Sequence, residues 1–339
     1  MIYIRYLISD IRYLICKKAP KGAFLQWYHP ESNQGLTDFQ SVALPAELWY
    51  RFETAKIGKK DQRAKFKNQK TVYSLFRSLF TDLTAMNLVI DYGNTLKKIA
   101  LYDRQNMVYF KPFRELDATI LRHHLPEKEQ IRAAILASTG NCPQELIQWL
   151  NSSYRFIELN EQVPVPITNR YETPLTLGKD RLATVVAAQD RFPRQDILAV
   201  SAGTCITYDF INASKEYLGG SISPGIHMRF KALHTFTAHL PLIEMAPPPR
   251  LTGENTEESI LSGVMNGIVA EMNGIIHQYR QEYPDIKIIL SGGDANYFEK
   301  RLKNNIFAIP NIVLEGLNLI LSFNLGEKHS TRPATVDPD

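Results

Sequence analysis

Cysteine is scarce in these 339 residues, and Cys16, Cys142 and Cys205 are odd in number and far apart. That argues against a disulfide framework, and without a CxxC or a Cys/His pair at ligand spacing it also argues against structural zinc. Long apolar runs are missing too. The apolar opening, residues 1–16, is broken by Arg5, Asp10 and Arg12. It therefore has neither the unbroken core of a signal peptide nor the ~20 apolar residues of a membrane span. A cytoplasmic chain with no membrane attachment is expected. Glycine is lacking where nucleotide motifs need it: position 173, where a Walker A ending in Gly178-Lys179 needs its first glycine, is Thr173, and no GxGxxG joins a strand to a helix. P-loop and Rossmann sites are disfavoured. The eight histidines, among them His123, His124, His227, His234 and His239, form no metal-ligand pattern.

What is present is unevenly distributed. The net charge of +4 comes from the first 85 residues, which hold 14 Lys/Arg against 7 Asp/Glu, leaving 25 against 28 in the remainder. The larger part has no electrostatic footprint for a nucleic acid backbone, and no nucleic-acid partner is expected. The basic run Lys56–Lys70 with its flanking aromatics reads either as a nucleic-acid arm or, preferred here, as an unstructured extension or a mis-assigned start, with short helices allowed at Ala46–Phe52 and Val72–Phe80.

From Met86 the texture changes to apolar runs of strand length alternating with helical periodicity. Strands are predicted at Asn87–Ile90, Lys98–Tyr102, Met107–Pro112, Arg132–Ala137 and Arg155–Leu159, and helices at Leu116–His124 and after Pro143. A second copy of the opening pattern follows at Ile197–Ser201, Cys205–Ile211 and Tyr217–Ile222, with Ser201 lying 110 residues after Asp91. Two apolar strands around a Gly/Thr turn, repeated at domain spacing, predict a duplicated α/β unit with a cleft between its halves. The expected organisation is an extension over 1–85, halves over 86–193 and 194–326, and a disordered Ser/Thr/Pro-rich tail over 327–339. Glu257–Tyr283 is predicted as a long core helix, Lys287–Leu290 as a strand and Val313–Asn324 as a closing helix.

The chemistry-bearing residues sit at the turns. Asp91 ends the first strand, and the backbone N–H groups of Gly93, Asn94 and Thr95 form a turn able to cradle phosphate oxygens, with Lys98 as a point charge and Asp91 as a water-mediated magnesium ligand. Gly203-Thr204 occupies the equivalent place in the second copy, so two opposed phosphate loops form a nucleotide clamp. Between them, Asp180 reads either as a helix-end acid or as a general base aimed into the cleft, with Arg181 beside it to pair an anionic substrate group.

Three runs together carry a family resemblance: Asp91-Tyr92-Gly93-Asn94-Thr95 with Lys98, Thr173-Pro174-Leu175-Thr176-Leu177-Gly178-Lys179-Asp180-Arg181, and Gly203-Thr204-Cys205-Ile206-Thr207-Tyr208-Asp209 with Leu218-Gly219-Gly220 and Ser223-Pro224-Gly225. In order and spacing they resemble type III pantothenate kinase, over about Met86–Leu325. The resemblance implies the actin-like ATPase fold (acetate and sugar kinase/Hsc70/actin) with two RNase H-like halves. It implies ATP-dependent phosphorylation of pantothenate, the first step of coenzyme A synthesis, by a homodimer. It makes Asp91, Tyr92, Gly93, Asn94, Thr95, Leu96, Lys97 and Lys98, with Thr204, the ATP contacts. Tyr171, Gly178, Lys179, Asp180, Arg181 and Thr256 become substrate contacts, with Asp180 as proton acceptor. ATP, Mg2+ and a monovalent cation, K+ or NH4+, are the implied cofactors, and the cation position carries Ser201 where the family usually has Asp. The alternative reading, sharpened by Ser201, is a catalytically weakened nucleotide-binding regulator of the same fold.

Overall fold

The computed structural model describes residues 24–26, 41–43, 86–125, 130–246, 250–302 and 305–327. The chain divides into two compact units, Met1–Phe76 and Arg77–Asp339. In the first, β1 (Phe24–Gln26) pairs antiparallel with β2 (Ser41–Ala43). The remaining expectations for the leader, including both short helices, fall outside the described residues, as does the tail beyond residue 327.

The second unit is built twice from one plan. Its first sheet consists of β3 (Met86–Tyr92), β4 (Lys97–Asp103), β5 (Asn106–Phe113), β6 (Ile131–Ser138) and β7 (Arg155–Glu158), in the order β5-β4-β3-β6-β7. β3, β4 and β5 form an antiparallel meander, while β6 and β7 run parallel to β3 through the helices α1 (Ala118–His124) and α2 (Gln144–Ser153). The second sheet repeats this with β9 (Ile197–Ala202), β10 (Cys205–Ile211), β11 (Glu216–Pro224), β12 (Lys287–Ser291) and β13 (Phe307–Ala308), in the order β11-β10-β9-β12-β13. The two-residue strand β8 (Thr168–Asn169) adds parallel to β11. A meander followed by two parallel crossover strands, in the same order twice, is the actin-like arrangement of two RNase H-like halves.

Alternation along the strands decides what faces the cleft. In β3, Leu88, Ile90 and Tyr92 point outward to pack with Leu121, Leu146 and Leu150 of α1 and α2, leaving Val89 and Asp91 inward. In β9, Leu198, Val200 and Ala202 point outward against Ile260, Val264, Ile268, Met272 and Ile276 of α5 (Thr256–Glu282), leaving Ile197, Ala199 and Ser201 inward. By length and composition α5 could cross a membrane. Its buried stripe instead makes it a core helix of the second half. α4 (Ile226–Thr235) and α6 (Ala295–Glu299) complete this outer layer.

Between the two inner faces lie α3 (Lys179–Arg191) and α7 (Ile312–Asn324), sharing one apolar core with both sheets. They cross closely enough that a Cβ on Gly316 would stand 1.8 Å from the carbonyl oxygen of Ala183, so only glycine fits. The polar residue Asn318 of α7 is buried there, accepting from Asn87 Nδ2 at 2.8 Å and donating to the carbonyl of Arg104 at 2.7 Å.

Candidate active site

The antiparallel register that sets Asp91 opposite Lys98 brings Lys98 Nζ to 3.5 Å from Asp91 Oδ2. Burial pushes the Asp91 carboxyl above its ordinary pKa, Lys98 pulls it down, and the negative charge of Asp180 pushes it up again. Asp91 and Asp180, 89 positions apart in sequence, therefore share one electrostatic neighbourhood. Beyond Asp91 the chain turns through Gly93, where a Cβ would meet the Leu96 carbonyl at 2.8 Å. Tyr92 is buried outward, its hydroxyl donating to the Leu116 carbonyl at 3.3 Å, so it offers the cleft only backbone. Lys97 lies against the Tyr92 ring and donates to the Asn94 carbonyl at 3.4 Å, and Leu96 is exposed.

The opposing loop, Ala202-Gly203-Thr204, is held by two glycine turns. A Cβ on Gly225 would stand 2.0 Å from the Gly203 carbonyl, and one on Gly292, at φ +97°, would stand 2.1 Å from the Ala202 carbonyl. The hydroxyls of Thr95 and Thr204 come within 3.1 Å of each other, so the two predicted phosphate loops do meet across the cleft.

Asp180 lies in the first turn of α3, whose N-cap is Gly178. Its carboxylate folds back over Gly178, where a Cβ would strike Oδ1 at 2.7 Å. Burial raises its pKa, the amides of Arg181 and Asp180 lower it, and the charge of Asp209 raises it. The helix-start reading is met, in a carboxyl that is also desolvated.

Arg181 behaves differently from the expectation that it stands free for an anionic group. It is buried, donating through Nε to Asp209 Oδ1 at 2.8 Å, with Nη2 2.7 Å from the same oxygen. The Tyr217 hydroxyl donates to that oxygen at 2.7 Å, and Asp209 Oδ2 is buried without a hydrogen bond. The Arg181 guanidinium lies 5.6 Å from the Tyr171 ring centre, and Tyr171 stacks on Tyr217 at 6.1 Å and 9°. Gly219, at φ +106°, leaves room for Tyr171. Asp209, Tyr217 and Gly219 thus form the support for Tyr171 and Arg181, a role the sequence alone does not assign, although Asp209 and Gly219 stand in the runs that carry the resemblance.

Of the other predicted residues, Lys179 lies 3.8 Å from Glu161, and Ser201 lines a cavity with Lys98. Thr256 opens α5 behind its N-cap Asn255 and is exposed; no hydrogen bond among the described residues ties it to the Asp91–Asp180 cluster.

The family model for type III pantothenate kinase matches residues 87–278. The type III pantothenate kinase of Christiangramia forsetii is 46% identical over 240 residues, covering 70% of this chain and 99% of that protein. That of Bacteroides fragilis is 43% identical over 244 residues, covering 71% and 99%. Among solved structures, the inorganic polyphosphate/ATP-glucomannokinase of Arthrobacter is similar at a TM-score of 0.39 and 12% identity, covering 71% and 99%. With its strand order repeated in two halves and near full-length relatives matched end to end, the chain belongs to the type III pantothenate kinase family.

Proposed function

We infer that this chain transfers the γ-phosphoryl group of ATP to the primary hydroxyl of pantothenate, the entry step of coenzyme A synthesis. The observation that carries the reading is the Thr95–Thr204 contact, which brings the loop after Asp91 against the loop between β9 and β10. Phosphoryl transfer passes through a loose transition state, so the protein mainly aligns the reactants and neutralises charge. Backbone amides of Gly93–Thr95 and Gly203-Thr204, with both threonine hydroxyls, suit the phosphate oxygens. The pantothenate oxygen attacks the γ-phosphorus, its bond to the ADP oxygen breaks, and the hydroxyl proton passes to Asp180 Oδ. Desolvation makes Asp180 a stronger base than an ordinary carboxylate, and the helix-start amides partly offset that rise. Tyr171, Gly178, Lys179 and Arg181 form the substrate wall. Within it Arg181 acts from behind Tyr171, held by Asp209, and Thr256 belongs to the same reading as a contact from α5.

The divalent ion suits Asp91, a hard oxygen on the cleft's inner face. No cluster of three His, Cys, Asp or Glu among the described residues could hold a metal unaided, so the ion comes with the nucleotide phosphates. It supplies charge neutralisation on the phosphates. For the monovalent cation, K+ or NH4+, Ser201 offers a neutral oxygen beside Lys98 in place of a carboxylate. No observation favours the regulator.

The working state proposed is a cytoplasmic homodimer with no nucleic-acid or membrane partner. Phe236 and Leu251 are exposed apolar side chains, the latter tied through its carbonyl to Ser262 of α5, and a second copy would cover them. Light scattering of the purified chain tests this, and a monomer would overturn it. The kinase reading is tested by phosphorylation with ATP, magnesium and pantothenate against a panel of sugars. Turnover on a sugar but not on pantothenate would reassign the substrate.

A further inference from the structure

The two halves, built on one plan, differ at one equivalent place. In each, the strand that follows the meander runs parallel to the meander's first strand and ends beside it, β6 beside β3 and β12 beside β9. Asp91 and Ser201 are equivalent in the repeat, and their register partners are Ala137 and Ser291. Two residues beyond those partners the second half has Gly293, in the turn opened by Gly292 at φ +97°, and the first half has Thr139. Of the two places, only the first presents a side chain.

Thr139 stays in line with its sheet. Its amide donates to the Tyr92 carbonyl at 3.2 Å, extending the β3–β6 ladder by one residue. It therefore keeps the inward phase of Ile135 and Ala137, which belong to the core between the sheets. The bend after it is locked: Ser138 Oγ donates to the Gly140 carbonyl at 2.7 Å and accepts from the Gly140 amide at 3.3 Å. Gly140 in turn lies against the first phosphate loop, where a Cβ would stand 3.0 Å from Asn94 Oδ1. Thr139 is exposed, and among the described residues no hydrogen bond engages its hydroxyl. On one side of it stands Asp91, near the end of β3. On the other, the chain leaving β7 reaches Glu161, which lies 3.8 Å from Lys179 in the turn of α3 that carries Asp180.

We propose that Thr139 is a further binding residue for the phosphoryl acceptor, its hydroxyl hydrogen-bonded to the polar group nearest the alcohol that is phosphorylated. The inference rests on the phosphoryl-transfer reading above. In pantothenate that group is the secondary hydroxyl, whose carbon is separated from the reacting one by a single quaternary carbon. A threonine hydroxyl both donates and accepts, and one carried on a strand end by a locked bend is oriented before the substrate arrives.

The test uses the full chain, with magnesium-ATP and pantothenate varied in turn. Thr139→Val removes the hydroxyl and keeps the branched shape. It should raise KM for pantothenate by about three- to tenfold, the worth of one neutral hydrogen bond, and leave kcat and the KM for ATP within about twofold of the wild type. Thr139→Ser should restore most of the loss. With an acceptor that lacks the secondary hydroxyl, wild type and Thr139→Val should match. The proposal is overturned if KM for pantothenate moves by less than about twofold, if the defect is confined to ATP, or if the difference persists on the deoxy acceptor. Thr139→Ala, judged by the same three results, replaces the valine variant if that one does not fold. If the wild-type chain phosphorylates no pantothenate, the kinase reading fails instead. Calorimetric titration with pantothenate then decides the role of Thr139: weaker binding by the variant upholds it, and equal affinity or no binding by either protein overturns it.

Discussion

Replacing Asp209 by Asn isolates the charge beneath Tyr171 and Arg181, the proposed substrate wall. The amide keeps the volume of the carboxylate and an oxygen for the Tyr217 hydroxyl, but it removes the charge facing a guanidinium that is only 5% exposed. An ion pair this buried contributes little over an apolar pair, whereas breaking it by removing one partner costs about 3–5 kcal/mol. In a body of this size each kcal/mol moves the midpoint by about 2–4 °C, so the melting temperature should fall by about 6–20 °C. Activity should change in a directed way. Burial raises the pKa of Asp180 in either protein; of the two neighbouring charges, Asp209 raises it and Arg181 lowers it, so removing Asp209 takes away one of the raising influences. The acid limb of kcat/KM, where Asp180 takes up its proton, should therefore move to lower pH. Thermal melts and pH–rate profiles of Asp209→Asn, Arg181→Met and the double variant are the assay. The double variant, with neither charge left unpaired, should recover much of the stability lost by the single one. A single variant that loses less than about 1 kcal/mol and keeps its acid limb in place refutes the reasoning.

Asp180→Asn should lower turnover by about 10²–10⁴ while stabilising the fold at neutral pH. The sign follows from burial: the folded carboxyl titrates above its unfolded value, so its ionisation destabilises the fold at high pH. The advantage of Asn is full above the folded pKa and vanishes as pH falls toward the unfolded one, which denaturant melts across pH will read. Gly316→Ala, with its Cβ 1.8 Å from the Ala183 carbonyl, should cost about 1–3 kcal/mol through overpacking, and an unchanged urea midpoint would contradict the close crossing. A chain beginning at Met86 should keep its activity and melting temperature, since the relatives are matched almost completely by some 240 residues of this one. Loss of either would place the leader in the working fold.

The elements that a periodic pattern can announce were readable in the sequence. β3, β4, β6, β9 and β10 are apolar runs between turn residues, and α5 carries Ile260, Val264, Ile268, Met272 and Ile276 at helical spacing. Elements fixed by their neighbours were not: β13 has two residues and exists because it pairs with Ile289 and Leu290, and α6 has five. The loops were legible as turns because glycine ends a strand where the chain must reverse, and the repeat 110 residues on paired them. Asp209 was harder, yet it left a signal: an acid on the inward phase of an apolar strand, with Ile206, Tyr208 and Phe210 outward, requires a buried cation. Locally Arg181 reads as a free cation, and only the meeting of α3 with β10 shows whose charge it answers.

The crossing of α3 and α7 at Gly316 also sets the mechanics of the two halves. With no side chain between the helices, backbone rests on backbone. Both helices share one apolar core with both sheets, so a Cβ added at Gly316 would not remain a local fault. The shift it forces would pass into the inner strands β3 and β9, which carry Asp91 and Ser201 near their ends, so one missing methyl group keeps the two halves in register.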